Sequence, residues 1–380
     1  MADTPLQERL LRETDRRRTE GLHRVLPPCS APPAIDLSTN SYLALEREPH
    51  VAREARRLCD GKLSGNLASR LISCTSPLVE KLESELAQWK GTESALVFNS
   101  GYAANTGIIS AVCSRDTEVF SDRLNHASIL DGIRLSGARL SRYRHRDMDD
   151  LRARLQRSTV RERLIVTDTV FSMDGDRAPL PDICDLAERF ECMVMVDEAH
   201  ATGILGATGS GLAEECGVGE HIDIRMGTLS KALAGLGGFF AGRVSLRDVL
   251  VNHARSLVYS TALPHAVLAH DLSAVRFVRT HPGIGKEVLS RAALLRERLH
   301  ESGFETLSCD TQIVPCVCGG AARAKALSAS LAARGIKAPA IRPPTVPRGT
   351  ARVRFSVHRG ISPDNIERVA EAVAAHGNGK

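Results

Sequence analysis

The chain has 380 residues, 43% hydrophobic and 25% charged, with a formal net charge of +5. These are globular values, and the length suits one large domain with a smaller companion. No apolar run approaches the ~20 residues that cross a bilayer. The first residues, MADTPLQERLLRETDRRRTEGL, form a charged stretch without a signal-peptide core, so neither a membrane nor a nucleic acid is expected as a partner. Ten cysteines are scattered among apolar segments. Cys316 and Cys318 lack a matching second pair, so free thiols in a reducing cytoplasm are expected and no metal site.

Residues 1–40 read as a helix followed by a connector, PPCSAPP, whose prolines favour an extended path. From 41 to 265 short apolar runs alternate with helical stretches. ALVFN (95–99), EVFSD (118–122), RLIVTDTV (163–170), CMVMVD (192–197), DIRMGT (223–228) and GGFFAG (237–242) form the set. Runs without polar alternation suit strands buried on both faces of a mostly parallel sheet, and the βαβα order predicts a large α/β domain. The pattern changes over 266–380: helices near 266–280 and 284–302, strand IVPCVCG (313–319), a helix near 321–334, strand ARVRFSV (351–357) and a last helix, 362–376. These predict a smaller C-terminal α+β domain.

The most informative segment is TLSKALAGLGGFFAG (228–242). Lys231 sits among small and apolar residues, where an ammonium is costly to bury and a neutral or covalently bonded amine is not. Thr228 and Ser230 offer hydroxyls beside it, as a phosphate site requires. A surface lysine before a flexible loop is the competing reading. In VMVDEAHATGILG (194–206), Asp197 ends an apolar strand, at the edge where open α/β sheets bind ligands. A carboxylate there can pair with a protonated pyridine nitrogen, and His200 follows on the next loop. Alternatively, Asp197 caps a helix and His200 is a satisfied loop histidine.

VFNSGYAANTG (97–107) runs from strand through Ser100, Gly101 and Tyr102 into a helix, leaving backbone N–H groups at a positive helix end. It lacks the G-x-G-x-x-G dinucleotide fingerprint. In SDRLNHASILDG (121–132), His126 either stacks on an aromatic ligand or simply starts a helix. In DTVFSMDGDRAPL (168–180), Ser172 is a polar ligand contact or a turn hydroxyl. In IRPPTVPRGTARVRFS (341–356), prolines fix a loop that delivers Thr345. Arg354 then offers two parallel hydrogen bonds to a carboxylate, with Arg352 on the same strand face as its competitor.

Together, from Asn40 to about Ser356, these segments resemble the α-oxoamine synthases, pyridoxal-phosphate (PLP) enzymes of fold type I, and are most similar to the biotin-pathway branch. The resemblance implies a Schiff base at Lys231, Asp197 on the pyridine nitrogen, His126 stacked on the ring and His200 on the ring hydroxyl. It implies cofactor or phosphate contacts from Gly101, Tyr102, Ser172 and Thr228, and from Thr261 across a homodimer interface. Asn40 and Arg354 would hold an amino-acid carboxylate and Thr345 would line the substrate site. Arg24 or neighbouring His23 would face the acyl chain, with Arg70 a further cation near the tunnel mouth. The implied reaction joins L-alanine to a pimeloyl thioester of coenzyme A or an acyl carrier protein. The sequence departs from the family at Ala44, Leu67 and Cys74, where glycine is usual, and at Arg146, where asparagine is usual. Glycine C-acetyltransferase and serine palmitoyltransferase chemistry are the rivals within the family, and a PLP-dependent C–C lyase the rival outside it. A degenerate regulatory subunit would be expected to lack Lys231.

Overall fold

The computed structural model describes residues 4–20, 22–26, 33–61, 65–72 and 75–377. Most of the proline connector (27–32) and Cys74 lie outside the described residues. Seven strands form the central sheet, in the order Ser94–Phe98, Gly238–Gly242, Ile224–Thr228, Met193–Asp197, Glu162–Asp168, Thr117–Asp122 and Arg139–Tyr143. Neighbours pair in parallel except at Gly238–Gly242, which runs antiparallel to both of its neighbours. Alternate residues go to opposite faces of a strand, and both faces here are dry. Ile165, Val196 and Phe239 join one apolar core, while Leu164, Met195 and Phe240 join another. Each large apolar side chain so buried contributes about 1.5–3 kcal/mol, and this two-sided burial explains the unbroken apolar runs.

The strand Arg139–Tyr143 was not foreseen from the sequence. It is the sheet's edge, mostly exposed, and its sequence RLSRY carries arginines where an unpaired edge must resist another chain. Four of the other strands end in polar residues at one rim: Asp122, Asp168, Asp197 and Thr228 each close a strand with a parallel neighbour. No helix among the described residues is long and apolar enough to cross a membrane.

A second, antiparallel sheet orders Ala340–Ile341, Ala351–Ser356 and Ile313–Gly319. Its core gathers Val314, Phe355, Leu327 and Val369, and it also takes in Ile35 and Leu37. Leu37 donates its N–H to the Lys337 carbonyl at 2.8 Å and accepts from Ser356 at 2.9 Å, so the chain is anchored on the small body just before Asn40 and Tyr42. Helix His265–Thr280 instead buries Leu268, Leu272 and Phe277 in the large core. Helix Ile284–Glu301 is shared, with Ile284 and Val288 in the large core and Leu295 and Leu299 in the small one. A cut at 265/266 therefore separates His265–Thr280 from the core it fills, and a cut at residue 40 detaches Ile35 and Leu37 from theirs.

Two charge clusters, one fully buried and one half-buried, fix the loops at the rim. Lys90 is fully buried and donates to Glu198 at 2.8 Å and to Thr202 at 2.9 Å, tying the loop after Asp197 to helix Pro77–Lys90. Removing one partner would strand the other's charge. His145 lies between two carboxylates, Nδ1 at 2.9 Å from Asp122 and Nε2 at 2.8 Å from Asp176, with the Phe171 ring edge-on at 4.4 Å. This clamp holds the loop that carries Ser172.

Burial alone would lower the His145 pKa, but the hydrogen bonds to Asp122 and Asp176 outweigh it and raise the imidazole to about 9. A folded value above the unfolded one gives stability that is complete below about pH 6.5 and disappears as the pH rises through about 9. His145→Gln should therefore cost roughly 3 kcal/mol at most at about pH 6 and progressively less towards about pH 10. Denaturant unfolding of both proteins across that range checks this, and a gap independent of pH would refute it.

Candidate active site

One cavity of about 220 Å³ opens at the carboxyl rim of the central sheet, lined by Lys231, Asp197, His126, His200, Gly101, Tyr102, Ser172 and Thr228. The sequence had singled out each of these from separate segments. Lys231 follows strand Ile224–Thr228 by three residues, in a turn closed by the Leu229 N–H on the Gly237 carbonyl at 3.0 Å. Its amine meets His200 Nε2 at 2.9 Å. Burial lowers the Lys231 pKa to about 8, against the opposing pull of Asp197 and Asp168. A sizeable neutral fraction near neutral pH makes this amine a nucleophile and a base.

Asp197 is buried and doubly held: one oxygen accepts from the Ala199 N–H at 2.8 Å, the other from Asn105 Nδ2 at 2.7 Å. Beside it Asp168 is also buried, and that burial together with the Asp197 charge pushes its carboxyl well above the usual range. Asp168 also accepts the His126 N–H at 2.8 Å. His126 lines the cavity and also caps helix Ala127–Ser136, accepting from the Ser128 N–H. Burial lowers its pKa, so it presents a neutral ring.

The far end of the cavity is built for an anion. Ser100 caps helix Gly101–Val112, accepting from the Ala103 N–H at 3.0 Å, which leaves the first-turn N–H groups facing the cavity. Thr228 and Ser230 add hydroxyls 2.8 Å apart. The close approach depends on glycine: a Cβ on Gly238 would lie 2.6 Å from the Ser100 carbonyl.

Behind the residues that line the cavity stands a second wall, from the small body. Arg354 donates to the Ser172 carbonyl at 2.6 Å, to Ser356 at 2.6 Å, and through both terminal nitrogens to Asn40 Oδ1 at 3.3 Å. Arg352 does not compete, because its guanidinium is paired with Asp174. Tyr42 joins the two walls, its hydroxyl reaching His200 Nδ1 at 2.7 Å and Asn40 Oδ1 at 3.1 Å.

Other expected residues lie elsewhere in this single chain. Arg24 and Thr345 line a second cavity of about 200 Å³ with Arg342 and the Pro343–Pro344 turn. Thr261 is exposed, its carbonyl accepting from Asn99 at 2.6 Å. Arg70 is not a free cation, for Glu83 grips its guanidinium at 2.6 and 3.2 Å. Sequence reasoning missed Asn105, Asp168 and Tyr42. Tyr42 lies in the NSYLAL segment just after Asn40; Asp168 closes a strand as Asp197 does; Asn105 gave no signal, being one polar residue inside an apolar helix. Ala44, Leu67 and Arg146 all adopt left-handed backbone, with φ of +53°, +58° and +55°.

The donor set fits PLP: a buried carboxylate for the pyridine nitrogen, an amine of lowered pKa for the carbonyl carbon, an imidazole on one side and an N–H cradle for phosphate. Asn105 Oδ1, buried and without a hydrogen-bond partner among the described residues, shows that this wall is polar beyond what the protein itself satisfies. Residues 32–373 match the model of the family described as aminotransferase class I and II. The chain is 48% identical to the 8-amino-7-oxononanoate synthase of Geobacter metallireducens over 91% of this chain and 89% of that protein. It is 47% identical to that of Trichlorobacter lovleyi over 90% and 89%. Among solved structures, a serine palmitoyltransferase from Sphingomonas wittichii superposes with a TM-score of 0.91 at 28% identity, covering 99% of this chain and 98% of that one. The 8-amino-7-oxononanoate synthase of Francisella tularensis gives 0.78 at 26%, covering 90% and 97%. Backbone shape is thus common to both branches, and the relatives of 47% and 48% identity are 8-amino-7-oxononanoate synthases. The chain belongs to the aminotransferase class I and II family, with the fold of the type I PLP transferases, and within it to the 8-amino-7-oxononanoate synthases, which are acyltransferases.

Proposed function

We propose that this chain condenses L-alanine with a pimeloyl thioester, of coenzyme A or an acyl carrier protein, to give 8-amino-7-oxononanoate, carbon dioxide and the free thiol. It does so with PLP as cofactor, as a cytoplasmic homodimer. The observation that carries the reading is that Lys231 and Asp197 line one cavity from separate strands, with Arg354 of a third strand bonded to the carbonyl of Ser172, which lines it too. When bound, PLP supplies an electron sink for charge developing on the amino-acid Cα.

Lys231 would hold the cofactor's carbonyl carbon, Asp197 its pyridine nitrogen, His126 its ring face and His200 its ring hydroxyl. Gly101, Tyr102, Ser172 and Thr228 would complete the cradle. Asn40 and Arg354 bind the alanine carboxylate, the 3.3 Å contacts between them being the ones a carboxylate displaces. Lys231, freed as an amine, removes the Cα proton and later returns one. The new bond joins Cα to the thioester carbonyl carbon, and the carboxylate held by Arg354 leaves as carbon dioxide. Thr345 and Arg24 face the acyl chain, where Arg24 meets the distal carboxylate.

Exposed Leu67, Leu71, Ile72 and Tyr259 support the homodimer. Their two segments are joined where the Ala262 N–H meets the Ala68 carbonyl at 3.0 Å, and Thr261 sits at that junction. A second copy covering this patch would bring the partner's Thr261 to the phosphate.

Purified protein should be yellow, and borohydride should bleach it and fix the cofactor to the Lys231 peptide. Lys231→Ala should lose both the fixed label and turnover; turnover at the wild-type rate would remove the assignment. Asp197→Asn should fold and bind PLP yet turn over about 10²–10³-fold more slowly, because an amide carries no charge to balance a pyridinium. Unimpaired turnover in that variant would exclude the role.

Substrate choice is tested by competition. Alanine with pimeloyl thioester should exceed glycine with acetyl-CoA in kcat/KM by at least about 10–200-fold, the range a single methylene provides. The opposite ratio would move the chain to the glycine C-acetyltransferase reading without touching the cofactor residues.

A further inference from the structure

Three polar groups behind Lys231 share too few protons to be arranged freely. Tyr42 is fully buried, and its single hydroxyl proton has two acceptors in reach, His200 Nδ1 at 2.7 Å and Asn40 Oδ1 at 3.1 Å. Asn40 Oδ1 is already met by both terminal nitrogens of Arg354. His200 Nδ1 has Tyr42 as its one partner among the described residues. Arg354 also donates to the Tyr42 oxygen at 3.3 Å, which polarises the O–H away from the guanidinium.

We propose that Tyr42 sets the tautomer of His200: the phenol donates to Nδ1, the imidazole carries its own proton on Nε2, and Nε2–H is presented to Lys231 Nζ, favouring the free amine. The proposal deepens the reading of Lys231 as the cofactor-binding amine and rests on it. The opposite tautomer would turn an acceptor towards Lys231 and favour the ammonium. His200 itself stays neutral, since burial and the charges of Lys231 and Arg354 hold its pKa far below the usual value. The tautomer is therefore the variable that remains.

The charged and titratable groups facing Lys231 come from several elements. Asp197 and Asp168, at the ends of adjacent strands, pull towards the ammonium, while Arg354 of the small body opposes it. His126, across the cavity, is neutral near pH 7 because burial lowers its pKa. Tyr42 touches none of the reacting atoms and is a positioning residue. Its phenol is the link by which the carboxylate-binding arginine and the nucleophilic lysine sense one another.

The test uses full-length protein freed of cofactor, with histidine nitrogens labelled and the His200 signals assigned by their loss in His200→Gln. Nitrogen chemical shifts distinguish a protonated from a bare ring nitrogen, so wild type alone decides the first part. A bare Nδ1 with a protonated Nε2 is expected, and the reverse would overturn the proposal. Tyr42→Phe should populate the other tautomer. It should also raise the pH of half-maximal reductive methylation of Lys231 by formaldehyde and cyanoborohydride, read by peptide mass spectrometry. The expected rise is about one pH unit, or about tenfold less reactive amine near neutrality. An unchanged tautomer and profile in a folded Tyr42→Phe protein would also overturn it. Borohydride fixation of PLP on wild-type Lys231 is the separate control: if that fails, the functional reading falls, whereas if it succeeds with Tyr42→Phe unchanged, only the role of Tyr42 falls.

Discussion

The amine of Lys231 lies in the wall of the cavity, largely removed from bulk water, and an ammonium there is tolerable only if counter-charge offsets the lost hydration. Asp197 and Asp168 both stand near enough to act, but two adjacent buried carboxylates cannot both be charged without cost. Burial and this conflict push the Asp168 carboxyl well above its usual range, while the Asp197 oxygens accept from Ala199 and Asn105. The balance leaves Lys231 near the neutral range instead of fully charged. The rest of the rim, including the Lys90–Glu198 anchor beneath the loop after Asp197, keeps these groups in register.

The two bodies of the molecule meet through Arg354. Its strand belongs to the small antiparallel sheet, yet its guanidinium reaches the Ser172 carbonyl of the large domain and the Asn40 amide of the entering chain. The arrangement has a chemical logic. A substrate whose carboxylate is to be lost must be gripped by a group that can let go, and the longer Arg354–Asn40 contacts are exchangeable where the 2.6 Å contact to Ser172 is not.

Much of this was legible in the sequence because strands buried on both faces write continuous apolar runs, and because their polar end residues interrupt those runs abruptly. Asp197, Thr228 and Lys231 could be read that way, and so could the phosphate-binding turn after Phe98. The edge strand Arg139–Tyr143 was not legible, since exposure and charge erase the signal that burial writes. Asn105 was hidden for the opposite reason: it sits within an apolar helical run, and only the packing of helix Gly101–Val112 against the sheet rim turns it towards Asp197. The separation of Arg24 and Thr345 from the main cavity depends on the fold of the small body, which no local pattern encodes.

Ala44, Leu67 and Arg146 carry side chains through a backbone conformation that costs a non-glycine residue about 1–2 kcal/mol. Glycine would remove that cost but would give the unfolded chain more freedom to lose, about 0.5–1 kcal/mol. The second offsets about half of the first, so each bend keeps a small net strain that its surroundings impose. Such sites are free to drift in sequence while the backbone path stays fixed. At Leu67, where the side chain is 87% exposed, that freedom lets a bend acquire an apolar surface group without disturbing the turn that carries it.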